Sequence, residues 1–158
     1  VFSGTALNDD YREGRYKPLE LSDAVELCRM AWEKLSEAGI RVIRMGVQMT
    51  PEMEKEGAVF AGPVHPAFGS LVLSSVFYHF TVKLLENISS EAKELHFNLS
   101  GRDISNFRGW NNMNIEAIKK LYPNANLIIK SVPGQPGGEI SVVADSGQPF
   151  HIRIPGIH

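Results

Sequence analysis

The sequence predicts two unlike parts, an α/β segment over residues 1–50 and a small α+β domain over residues 51–158. Three patterns carry this. A helix-spaced apolar series runs straight into a β-branched run, the repeating unit of α/β proteins. Gly57, Gly62, Pro63 and Pro66 then break the pattern. Beyond them, one apolar helix is followed by short strand-like runs separated by Gly/Pro-rich turns.

The 158 residues suffice for one well-packed domain, or a small domain with an appended piece. With 43% hydrophobic and 22% charged residues the composition is that of an ordinary globular protein. A formal charge of -2 gives no global attraction to nucleic acid or to a membrane, so RNA contact would need a local basic patch. Cys28 is the single cysteine, which excludes an internal disulfide framework and makes a reducing cytoplasm the expected compartment. The longest apolar run, FGSLVLSSVFYHFTVKLL, is interrupted by serines, His79 and Lys83 and reads as a buried helix, not a membrane span.

Val1 and Phe2 read as the end of a strand, followed by a Ser-Gly-Thr turn and a charged stretch. Ser22 is the expected N-cap of a helix in which Ala24, Cys28, Ala31, Trp32 and Leu35 share one face until Gly39 stops it. Residues 40–48, IRVIRMGVQ, read as a buried strand, and residues 51–66 as a loop, with the domain boundary between Pro51 and Gly57. A largely buried helix is predicted from Ala67 to about Asn87. KELHFNLS alternates Leu95, Phe97 and Leu99 as a half-buried strand. A short helix from Arg102 to Phe107, the loop GWNN and a helix from Asn114 to Tyr122 follow. NLIIKSV, EISVVA and FHIRI, joined by PGQPGG and DSGQ, read as a three-stranded antiparallel meander.

The stretch SGTALNDDYREGRYKPLELSDAVELCRMAWEKLSEAGIRVIRMGVQ resembles the last barrel segments of radical SAM enzymes related to the catalytic subunit of Elongator. AGPVHPAFGSLV and RGWNNMNIEAIKKL resemble the C-terminal domain of the bacterial members of that group. The resemblance implies that residues 1–50 are strand/helix units of a partial TIM-type barrel and that residues 51–158 are its accessory domain. It further implies an upstream CxxxCxxC loop whose thiolates hold a [4Fe–4S] cluster, with S-adenosylmethionine on the fourth iron. With one cysteine, this chain is expected to hold neither cofactor and to be catalytically inert alone. Nothing matches the Q/RxxGxG/A loop with which related acetyltransferase domains bind acetyl-CoA, so acetyl transfer is not expected. An oxygen-independent coproporphyrinogen III oxidase-like oxidoreductase stands as the alternative parent. A free-standing KH-like RNA-binding module and a structural dimerisation domain are the alternatives outside that family.

In GPVHPAFG, His65 sits between two prolines that stiffen its loop. An imidazole presented so rigidly near a barrel mouth is a candidate proton carrier or substrate partner, the catalytic assignment of this chain. The plainer reading has it bond a backbone carbonyl and fix the joint. In RMGVQ, Arg44 and Gln48 are the candidate contacts for S-adenosylmethionine, since ligand-contacting residues gather at strand C-termini in parallel barrels. The order strand, short helix, tight loop, helix, strand, strand resembles a KH-type fold, in which a GxxG loop clamps a nucleic-acid backbone. Here the loop reads Gly109, Trp110, Asn111, Asn112, without the second glycine. Arg102, Arg108, Lys119 and Lys120 supply a positive cluster, and Trp110 is placed to stack on a base. His79 and Cys28 read as packed and inert. His96, His151, His158, Asp103 and Asp145 lack metal-ligand spacing, so no metal is expected. The expected partners are the upstream barrel, tRNA and, through exposed barrel remnant, a second copy, with no membrane.

Overall fold

The computed structural model describes residues 1–47, 49–51, 53 and 57–157. Helix α1, Ala6–Arg12, opens it, capped by Thr5, whose hydroxyl accepts from the Asn8 N–H at 3.3 Å and donates to the Phe2 carbonyl at 2.8 Å. The charged stretch after the Ser-Gly-Thr turn is therefore partly helical. Helix α2, Leu21–Glu37, begins one residue before Ser22, with Glu20 at the cap position, and is left through Gly39 at φ 73°. Helix α3, Phe68–Leu85, holds most of the apolar mass. Then come β1 (Glu94–Leu99), α4 (Ile104–Arg108), a single 3-10 turn (Trp110–Asn112) and α5 (Met113–Leu121). Three strands close the chain: β2 (Asn126–Ser131), β3 (Glu139–Ala144) and β4 (Phe150–Arg153).

The four strands form one mixed sheet in the order β2-β1-β3-β4. Strand β1 pairs in parallel with β2, Phe97 opposite Ile129, and antiparallel with β3, Phe97 opposite Val142. The predicted meander is thus corrected, because only β3 and β4 form a hairpin. The β1–α4–α5–β2 connection is a helical crossover, which returns β2 parallel to β1. The following turn, PGQPGG, then carries the chain to the far side of β1. The Gln135 side chain holds that crossing by donating to the carbonyls of Asn98 (3.1 Å) and Glu139 (2.9 Å). Buried Asp103 accepts from the Gly138 N–H at 2.8 Å.

Leu95, Phe97 and Leu99 of β1 with Ile140 and Val142 of β3 are fully buried, and Phe97 packs on Phe107 of α4 with ring centroids 5.0 Å apart. Val76, Phe77 and Leu84 of α3, Ile115 and Ile118 of α5 and Trp32 of α2 join the same apolar cluster. Helix α3 is also long and apolar enough to cross a membrane. Within this fold it is the central core helix.

Residues 40–47 are not a strand, which corrects the buried strand predicted there. β-branched residues favour a pleated, half-buried surface but cannot supply the neighbour that a ladder requires. Among the described residues the first half of the chain makes one isolated bridge, between Phe2 and Val59. Val42 and Met45 turn inward against the core while Ile43 is 88% exposed. Gln48 lies outside the described residues.

Candidate functional site

The loop between α4 and α5 brings the sequence-predicted residues to two different faces. Gly109, Asn111 and Asn112 all have positive φ (75°, 49° and 61°), left-handed geometry that a non-glycine residue adopts at a cost. A Cβ on Gly109 would fall 2.7 Å from Asn114 Cγ, so glycine is required there on both grounds. Buried Asn114 fixes the loop from below, its Nδ2 within hydrogen-bonding distance of the carbonyls of Ser74 (2.9 Å), Phe107 (3.1 Å) and Asn106 (3.2 Å). Sequence reasoning missed Asn114. The repeated asparagines of NNMN were its only trace.

On one face, the loop turns Trp110 against His65, ring centroids 5.2 Å apart and planes at 87°. Two motifs 45 positions apart in the chain thus meet. His65 accepts at Nδ1 from the backbone N–H of Ala67 at 3.1 Å, which leaves Nε2 to carry the proton and act as donor. At Nδ1 the partner is thus a backbone N–H, where the plainer sequence reading expected a carbonyl bond. His65 and Trp110 share a cleft of about 510 Å³ with Leu71 and Tyr78 of α3 and Met113 and Ala117 of α5. His65 also borders a smaller cavity of about 180 Å³ beside Gly46, Val59 and Phe68. A Cβ on Gly46 would lie 2.8 Å from Phe68 Cδ1, which explains a glycine in that turn.

On the other face, Arg108, Asn112, Glu116, Lys119 and Asn126 line a polar groove of about 570 Å³ between α5 and β2. Lys119 pairs with Glu116 at 2.9 Å, and Arg108 reaches Asn112 at 3.4 Å. Arg102 belongs to neither face. It lies over Gly137 of the β2–β3 connection, where any Cβ would collide with its guanidinium. Lys120 is exposed on α5, and Arg44 is exposed in the irregular segment after α2.

A second polar centre, unnoticed in the sequence, joins α2 to α3. Arg29, 8% exposed, bonds Glu26 through Nε at 2.8 Å and Glu33 through Nη1 at 2.5 Å, and Glu33 stands 3.7 Å from His79. The Arg29 hydrogen bond holds Glu26 below the usual carboxylate range. Burial depresses His79 below the usual imidazole value against the opposing pull of Glu33. Cys28 is half-buried and unpaired.

Together these features define an α/β unit with helices on one face of a mixed sheet and two clefts divided by a left-handed loop. Residues 1–76 match the model of the radical SAM C-terminal domain family, a match that supports such a domain in that part of the chain and runs from α1 into α3. No curated protein and no solved structure matches the chain. Proteins of the radical SAM family use S-adenosylmethionine and a [4Fe–4S] cluster, so the family match raises the question of whether this chain could hold them. Such a cluster is held by several Cys thiolates. The chain has one cysteine, and among the described residues no three His, Cys, Asp or Glu side chains gather as ligands, so these residues do not fit the cluster.

Proposed function

We propose that the chain is the C-terminal accessory part of a radical SAM protein, that it recognises an RNA substrate such as tRNA, and that it performs no catalysis by itself. The observation that carries the RNA reading is the groove in which Arg108 and Lys119 stand beside the left-handed end of the 109–112 loop. Two cations and two asparagine amides along one groove suit a phosphate backbone, the main source of nucleic-acid affinity, which would draw Lys119 from its exposed pair with Glu116. The order β1–α4–α5–β2 with this loop between the helices also supports the KH-type likeness. In this reading His65 and Trp110 contact the substrate, and Arg102 and Lys120 contribute only to the surrounding field.

Anisotropy titrations of labelled tRNA at several salt concentrations test the proposal. Affinity should fall steeply with salt, and Arg108→Ala with Lys119→Ala should each flatten the log–log slope by about 1. Binding that ignores both salt and the two substitutions would sink the RNA reading.

The exposed apolar side chains of residues 40–47 favour a second role in the same assembly. Ile40, Ile43 and Val47 project from an irregular segment, a surface suited to packing on the barrel of the parent protein. Arg44 lies in that segment, and with Gln48 it remains the proposed contact for S-adenosylmethionine bound by the parent.

A further inference from the structure

The 109–112 loop holds one large aromatic side chain half in solvent by means of three left-handed residues. Trp110 is 46% exposed, and Met113, one turn on, is 64% exposed at the mouth of the same cleft. A tryptophan that served only packing would need neither the strained asparagines nor the opening beside it.

We infer that the cleft between α3, α5 and the His65 loop takes a nucleobase, either as a free nucleoside or turned out of a single strand; the second source rests on the RNA reading above. Three observations converge on that ligand. The cleft is lined by the aromatic rings of Trp110, His65 and Tyr78, with Trp110 and His65 meeting edge to face, and aromatic rings stack on any base irrespective of sequence. It also offers the hydroxyls of Ser22 and Ser75, each able to donate or accept and so to meet either kind of group on a base edge. Its volume of about 510 Å³ lies within the usual range of small-ligand sites. The neighbouring groove decides against an apolar peptide as occupant. Asn112 lines the polar groove and Trp110 lines the cleft, two residues apart on the same loop. A polyanion following Arg108 and Lys119 therefore reaches the loop where a base can leave its stack and enter the cleft.

The two tryptophans make this measurable. Trp32 is buried in the core and Trp110 borders the cleft, so their indole N–H resonances report on separate places. The 158-residue chain is titrated singly with the four ribonucleosides and with a single-stranded decaribonucleotide. The expected result is a saturable shift of the Trp110 resonance, with Trp32 unmoved, by at least one nucleoside and by the oligonucleotide. Trp110→Ala should weaken the oligonucleotide about tenfold, the loss of one stacked base. Ser75→Phe, which fills the cleft while keeping Trp110, should abolish the shift, and an otherwise retained spectrum shows that the variant folds. A nucleoside shift without oligonucleotide binding upholds the cleft and removes the RNA reading. Oligonucleotide binding that survives both substitutions undiminished overturns the cleft and leaves the groove. Failure of every nucleoside and of the oligonucleotide to move Trp110 overturns the inference.

Discussion

Asn114 ties three helices together with one side-chain amide, joining the start of α5, where it sits, to Ser74 of α3 and to Asn106 and Phe107 at the end of α4. Its removal leaves the carbonyls of Asn106 and Phe107 at the end of α4 without this donor, so Asn114→Ala should cost about 2 kcal/mol in urea denaturation. Gly109→Ala should cost a similar ~1–3 kcal/mol, because the new methyl meets Asn114 in a left-handed conformation that alanine resists. His79 sets a pH dependence. Its imidazole is held below the usual 6.5, mainly by burial, so the folded chain binds its proton less readily than the unfolded chain. Stability should therefore fall as pH drops below 6.5 and through the lowered folded value, and His79→Gln should flatten that limb of a plot of urea midpoint against pH. Glu26 adds a second loss as pH falls from 4.5 through its own lowered value, when protonation weakens its bond to Arg29.

Helix α3 is the element on which the rest is assembled. Phe77 is fully buried in the apolar cluster, and Phe77→Ala should destabilise by about 3–5 kcal/mol, read from the shift in urea midpoint. The end of α3 depends on α5, because the Tyr122 hydroxyl lies 3.0 Å from the Leu85 carbonyl and 3.2 Å from that of Ile88. Tyr122→Phe should cost about 1 kcal/mol by the same assay. This helix was legible in the sequence because its buried positions recur at helical spacing without a glycine or proline after Gly69 in its first turn. Strand β1 was legible for the matching reason, an alternation that put Leu95, Phe97 and Leu99 on one face. Residues 40–47 carried an equally strong β-branched signal and form no strand, since composition reports willingness to pair and says nothing of a partner. The meander failed similarly. Three strand-like runs with turns between them do not reveal that β1, from much earlier in the chain, lies among them. Of the site, the GPVHPAFG loop and GWNN were each visible. Their contact was not, because nothing local in either motif encodes the fold of α3 and α5 that brings His65 to Trp110.

At the scale of the molecule, Ile40, Ile43 and Val47 give the surface an apolar ridge. The chain should therefore self-associate with rising concentration in sedimentation velocity, and Ile43→Asp should shift the distribution toward monomer without lowering the melting temperature. A distribution independent of concentration in the parent chain would show that the ridge is not sticky enough to act as an interface. The central place of β1 bears on how the chain is made. Both of its neighbours, β2 and β3, come later in sequence, and its pairing with β3 joins Leu95 to Ala144. While the polypeptide emerges from a ribosome, Leu95, Phe97 and Leu99 must wait for some fifty further residues before both edges are covered. Synthesis interrupted between β2 and β3 would leave β1 with an open apolar edge able to pair with another chain.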